Sequence, residues 1–109
     1  VLERINGCTA VVCYNDQIAM RLLELLAKKG VRVPQDISVV GVDDSPLAEL
    51  CEPQLTSVEH PKEALGRLAA ENMLRMLKEP GFDANHVFRP QLKWRQSVAY
   101  VAPVAKASG

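Results

Sequence analysis

Thr9-Ala10-Val11-Val12-Cys13-Tyr14-Asn15-Asp16-Gln17-Ile18-Ala19 and, further on, Ile37-Ser38-Val39-Val40-Gly41-Val42-Asp43-Asp44 decide the fold. Each is a short apolar run, rich in β-branched residues, that ends abruptly in polar side chains. Such runs suit strands buried on both faces of a parallel sheet. Between them, Ile18, Ala19, Leu22, Leu23, Leu25 and Leu26 recur at spacings of three and four, while Arg21, Glu24, Lys28 and Lys29 take the other face. That is the pattern of an amphipathic helix. Asn15 or Asp16 can cap its start, and Lys28-Lys29-Gly30 provides a basic last turn and a glycine stop.

Strand, helix and strand in this order make a βαβ unit, right-handed on general grounds. The polar strand ends should therefore lie side by side at the carboxyl edge of a parallel sheet, where open α/β folds bind small molecules. The fold class is α/β, a parallel βαβ sheet with flanking helices.

Working outward, Ser45–Gln54 is a polar connection holding Pro46 and Pro53, with room for one helical turn at Leu47-Ala48-Glu49-Leu50. Leu55-Thr56-Ser57-Val58 reads as a third, weaker strand. Pro61 opens a helix to about Lys78, with Leu65, Leu68, Ala69, Asn72, Met73, Met76 and Leu77 as its inner stripe. Met73, Met76 and Leu77 read as core or interlobe packing. Pro80-Gly81 ends that helix. Residues 87–97 alternate imperfectly and, with Pro90 unable to donate to a ladder, read as an edge strand or half a hairpin. Trp94 is expected to anchor over the sheet edge.

The 109 residues fit one small domain, and the small-residue tail at 101–109 has no apolar period, so the chain reads as part of something larger. Thirteen basic and thirteen acidic residues cancel, leaving no sustained positive field for a phosphate backbone. No apolar run approaches the roughly 18 residues of a membrane span, and no signal-peptide pattern opens the chain. Cys8, Cys13 and Cys51 are odd in number and scattered, as expected of buried free thiols in a reducing, cytoplasmic setting. His60 and His86 are the only histidines and have no ligand-spaced partner, so neither metal nor cofactor is expected.

Asn15 offers an acceptor and two donors and Asp43 two acceptor oxygens, so together they can hold the vicinal hydroxyls of a polyol. On chemistry alone a second reading stands beside this one: Asn15 and Asp16 as helix caps, Asp43-Asp44 as a turn. The segment 55–61 can cross between two lobes, which would put Glu59 and His60 at a cleft; the alternative is a solvated pair ahead of a helix. Catalysis has less to build on. Ser38, Ser45 and Ser57 lie in no nucleophile elbow, Cys51 has no base beside it in sequence, and no phosphate-binding glycine loop follows a strand.

In order and spacing, the two opening stretches, Gly30-Val31-Arg32-Val33-Pro34-Gln35-Asp36, Pro53-Gln54-Leu55-Thr56-Ser57-Val58, Pro61-Lys62 and Leu65-Gly66 resemble the C-terminal half of the effector domain of the lactose/galactose-repressor family, over residues 8–98. The wording of residues 58–66 is similar to the arabinose-responsive repressors, in which the sensor follows a winged-helix head of the GntR type. The resemblance implies part of a two-lobed, periplasmic-binding-protein-like type I fold, with residues 1–100 as the C-terminal part of the effector domain. It implies a non-enzymatic sensor that closes on a small sugar, a pentose such as arabinose being favoured. It further implies a homodimer that meets DNA only through an N-terminal head absent from this chain, as is the N-terminal lobe. Carried over by motif, the effector residues are Asn15 and Asp43, with Glu59 and His60 at the crossover. The dimer contacts are expected among exposed apolar members of residues 17–27 and 47–52, namely Met20, Leu23, Leu47 and Cys51. A periplasmic sugar-binding protein of the same fold is the nearest rival, and a small α/β enzyme the third class.

Overall fold

The computed structural model describes residues 3–101; beyond Val101 the expected tail lies outside the described residues. The elements are β1 (Ala10–Val12), α1 (Asp16–Lys28), β2 (Ser38–Val42), α2 (Leu47–Leu50), β3 (Thr56–Glu59), α3 (Lys62–Lys78) and β4 (Gln91–Lys93). They build one sheet in the order β1-β2-β3-β4. The first three strands run parallel, with Val11 opposite Val39 and Gly41 opposite Ser57, and β4 returns antiparallel along β3 with Leu92 opposite Val58. The expected α/β class, the turn at 47–50 and the edge strand preceded by Pro90 are all present.

α1 forms where the periodicity places it. Asn15, in extended conformation, accepts the Ile18 N–H at 2.9 Å through its side-chain oxygen. At the other end Gly30 takes a φ of +74°, open to a residue without Cβ. There its N–H donates to the Ala27 carbonyl and that of Val31 to the Leu26 carbonyl, a two-bond Schellman closure. Ala19, Leu22, Leu23 and Leu26 face inward, where they meet Cys13, Ile37, Val39, Ala48, Cys51 and Leu55 in one core. Burying Leu26 alone contributes about 1.5–3 kcal/mol.

Two packing expectations are corrected. β1 is an edge strand with one open face: Val12 is 71% and Tyr14 84% exposed, so the run is not buried on both sides. α3 buries no residue at all, and Met73, Leu74, Met76 and Leu77 face solvent. It does not fold back on the sheet. Beyond Lys62 at its start, its partners are in the following segment, through Asn72 Nδ2 donating to the Ala84 carbonyl and the Arg75 guanidinium stacked 4.0 Å from the centre of the Phe82 ring. The chain is accordingly drawn out to 68 × 34 × 23 Å with a radius of gyration of 19.4 Å, against about 13 Å for a compact chain of this length.

Trp94 and Cys8 also depart from expectation. The Trp94 ring is 70% exposed and anchors nothing, whereas its neighbour Arg95 is the side chain that goes inward. Cys8 is exposed; Cys13 and Cys51 are buried, and all three are free thiols.

Candidate functional site

The parallel strands β1, β2 and β3 end on the same side of the sheet, and their last residues carry the polar groups singled out from sequence. At the end of β2 the backbone turns sharply: Asp43 has φ +107° and Asp44 φ +50°. Positive φ is tolerated by Asp better than by most residues, but it remains strained and survives only where surrounding contacts fix it. Here those contacts are explicit. Asp43 N–H donates to the Val58 carbonyl at 2.9 Å, and Lys62 Nζ donates to the Asp43 carbonyl at 2.6 Å. Asp44 N–H donates to Ser57 Oγ at 2.9 Å, and Ser45 N–H to Asp16 Oδ2 at 2.7 Å.

The two adjacent aspartates have different fates. Asp44 Oδ1 receives Arg95 Nη2 at 2.6 Å in a largely buried ion pair, while Arg95 Nη1 holds the Leu55 carbonyl at 2.8 Å. Asp44 is therefore a latch. Asp43, whose carboxylate has no hydrogen-bond or ion-pair partner among the described residues, lines an open cleft of about 430 Å³ together with Asp44, Glu59, His60, Pro61, Lys62 and Glu63. Glu59 pairs with Lys93 Nζ across the sheet at 3.2 Å, and His60 is exposed.

Asp43, Glu59 and His60 thus share one cleft. Asn15 stands outside its wall, at the end of β1, the strand next to β2. Its oxygen is engaged as the helix cap, so the cap reading holds for Asn15, and the amide NH2 is the group that can donate outward. Among the described residues no cluster of three or more His, Cys, Asp or Glu is arranged to hold a metal, and no helix is long and apolar enough to cross a membrane.

The four dimer candidates divide. Met20 and Leu47 are half-buried, but Leu23 and Cys51 are core residues, so the expectation that all four are exposed is corrected. The reason is that α2 packs on α1 and closes over them, leaving Leu50 as the most exposed apolar side chain there. Met20, Leu23 and Cys51 still floor a shallow depression of about 280 Å³ whose rim is Glu24, Leu50 and Glu52.

The residue whose role sequence reasoning missed is Asp16, read there only as a helix cap. Its carboxylate is 1% exposed and bridges two elements, accepting from Ser45 N–H and, at 2.5 Å, from Ser57 Oγ. A Cβ on Gly41 would collide with Asp16 Oδ1, so the glycine inside the β2 run exists to admit this carboxylate. The available signal was Thr56-Ser57 between the apolar Leu55 and Val58, and the structure adds Ser97 to them. All three are buried, and each hydroxyl is bonded.

A mixed, mostly parallel α/β sheet with a strained aspartate turn and a polar cleft at its carboxyl edge defines a class: an open α/β fold, whose strand carboxyl ends are where such folds take small molecules. The chain belongs to the periplasmic binding protein-like domain family, whose profile matches residues 2–98. It is 43% identical over 91 residues to an arabinose metabolism transcriptional repressor of Geobacillus stearothermophilus, covering 82% of this chain and 25% of that protein. Against the HTH-type transcriptional repressor PurR of Vibrio atlanticus the identity is 43% over 79 residues, covering 72% and 24%. Among solved structures it superposes on the transcriptional regulator CelR–cellobiose complex with a TM-score of 0.80 at 37% identity, covering 88% of this chain and 30% of that one. The lac repressor dimer bound to operator and the anti-inducer ONPF gives 0.79 at 28% identity, covering 84% and 32%. These relatives are transcriptional regulators, and the chain spans about a quarter of the length of the curated ones.

Proposed function

We propose that this chain is the effector-sensing and dimerisation portion of a bacterial transcriptional repressor, binding a small sugar in a cleft between two lobes and thereby changing how a separate N-terminal head meets DNA. The observation that carries this reading is the free carboxylate of Asp43 in a cleft shared with Glu59 and His60, next to the strand end that carries Asn15. Asp43 accepts from sugar hydroxyls, Asn15 donates through its amide, and Glu59 and His60 line the crossover side. A pentose such as arabinose is the favoured effector, in keeping with the arabinose repressor among its relatives, and a GntR-type head and a cytoplasmic setting go with it. The role is binding, with no turnover. Homodimerisation uses the α1/α2 face: Met20 and Leu47 at the surface, Leu23 and Cys51 supporting it from beneath.

Isothermal titration of the effector domain containing this chain against pentoses, hexoses and purines tests the reading. Asp43→Ala or Asn15→Ala is expected to weaken the binding sugar about tenfold or more, since each removes hydrogen bonds made to the ligand. Unchanged affinity in both variants would refute the site.

A further inference from the structure

The Asp43–Ser45 turn is held by side chains from three other elements, and two of them, Asp16 and Ser57, are buried and do not line the cleft. Asp16, in the first turn of α1, accepts from Ser45 N–H with one oxygen and from Ser57 Oγ with the other. Ser57, on β3, uses the same oxygen to accept Asp44 N–H. Asp16, Ser57 and the two backbone N–H groups thus form a closed bridge beneath the strained residues. A turn at positive φ relaxes unless it is over-determined. From this geometry we infer that Asp16, acting through Ser57, is a positioning residue for effector recognition: it holds Asp43 in the orientation that presents its carboxylate to the cleft. Gly41 is the third part of the device, because any side chain there would displace the Asp16 carboxylate.

The inference rests on the effector-site reading above, and its test separates the two. The effector domain containing this chain is titrated with L-arabinose and with cellobiose while its backbone amides are followed by NMR, and amide hydrogen exchange is measured on the same samples. Ser57→Ala should accelerate exchange at the Asp44 amide at least tenfold and weaken the sugar that shifts the Asp43 amide by about tenfold. In an Asp43→Ala background Ser57→Ala should cause no further loss of affinity, a coupling that general destabilisation would not produce. Asp16→Ala should behave like Ser57→Ala. Asp16→Asn, whose amide can accept from Ser45 and donate to Ser57, should restore both readouts.

Unchanged Asp44 exchange and unchanged affinity in Ser57→Ala overturn the inference, as do equal affinity losses with and without Asp43. If Asp16→Ala does not fold, Ser57→Ala decides. If neither sugar moves the Asp43 amide in the wild type, these two sugars are not its effector and exchange alone decides the positioning role. Protection of Asp44 kept in Asp16→Asn and lost in Ser57→Ala upholds it; protection kept in both overturns it.

Discussion

Replacing Gly41 by alanine adds one methyl group where β2 passes against Asp16 and Leu55. The new Cβ would collide with Asp16 Oδ1 and lie 2.8 Å from Leu55 Cδ2 and 3.3 Å from Asp16 Cα, and both side-chain ends are buried, the carboxylate held by two donors, so neither can give way cheaply. Overpacking of this kind costs about 1–3 kcal/mol. The carboxylate must then leave its two donors, and a buried N–H or O–H without a partner costs about 1–3 kcal/mol. The two effects overlap, because moving the carboxylate relieves part of the clash. Together they amount to about 3–5 kcal/mol, a large share of the roughly 5–15 kcal/mol of a small domain. Gly66, within α3, is the control, since a Cβ there meets nothing within 4 Å. Gly66→Ala should be neutral or stabilising by about 0.5–1 kcal/mol. Urea unfolding of the two variants, followed by far-ultraviolet circular dichroism, measures both. A Gly41→Ala loss below about 1 kcal/mol, or one no larger than that of Gly66→Ala, would refute the claim that the Asp16 carboxylate is pinned against β2.

Arg95→Met leaves Asp44 as a nearly buried, unpaired carboxylate and frees the Leu55 carbonyl, so a loss of about 2–4 kcal/mol is expected in thermal unfolding; Trp94→Ala beside it should change stability little. Burial pushes the thiols of Cys13 and Cys51 above their ordinary value, and for Cys51 the carboxylates of Asp16 and Glu24 add to this. Folding keeps these thiols neutral, so their contribution is fully present below the unfolded thiol pKa and is lost as pH rises toward the folded one. Iodoacetamide should alkylate Cys8 first, and equal rates at all three thiols in the folded chain would contradict the placement. Side-chain hydrogen bonds from Arg32, reinforced by its backbone N–H, hold the exposed Asp36 below the ordinary carboxylate range. That stabilisation is present above the unfolded carboxylate pKa and lost as pH falls through the folded one. Arg32→Ala should raise the Asp36 midpoint in an NMR titration, and an unmoved midpoint would count against the pair.

The legible parts of this chain were the local ones. The Asn15 cap, the stripe of α1 and the Gly30 stop are interactions within a few residues, so periodicity and turn chemistry suffice to read them. The site was half legible in the same way: strand ends must meet at the carboxyl edge of a parallel sheet, which placed Asp43, Glu59 and His60 near one another. Exposure misled wherever it depended on what covers what. The outer face of β1 and most of the stripe of α3 are as apolar as buried elements, yet Val12, Met73, Met76 and Leu77 stay exposed because the described residues do not cover them.

By itself the sequence determined the α/β class, the element order and which polar residues stand at strand ends, because short-range backbone geometry and side-chain period follow from residue type alone. Only the tertiary structure decided which of those polar residues is free and which is framework. Asp44 is taken by Arg95, 51 positions away, and Asp16 meets Ser57 across 41, and pairings of that separation leave no periodic trace in the chain. Asp43 faces the cleft because those distant partners hold its neighbours.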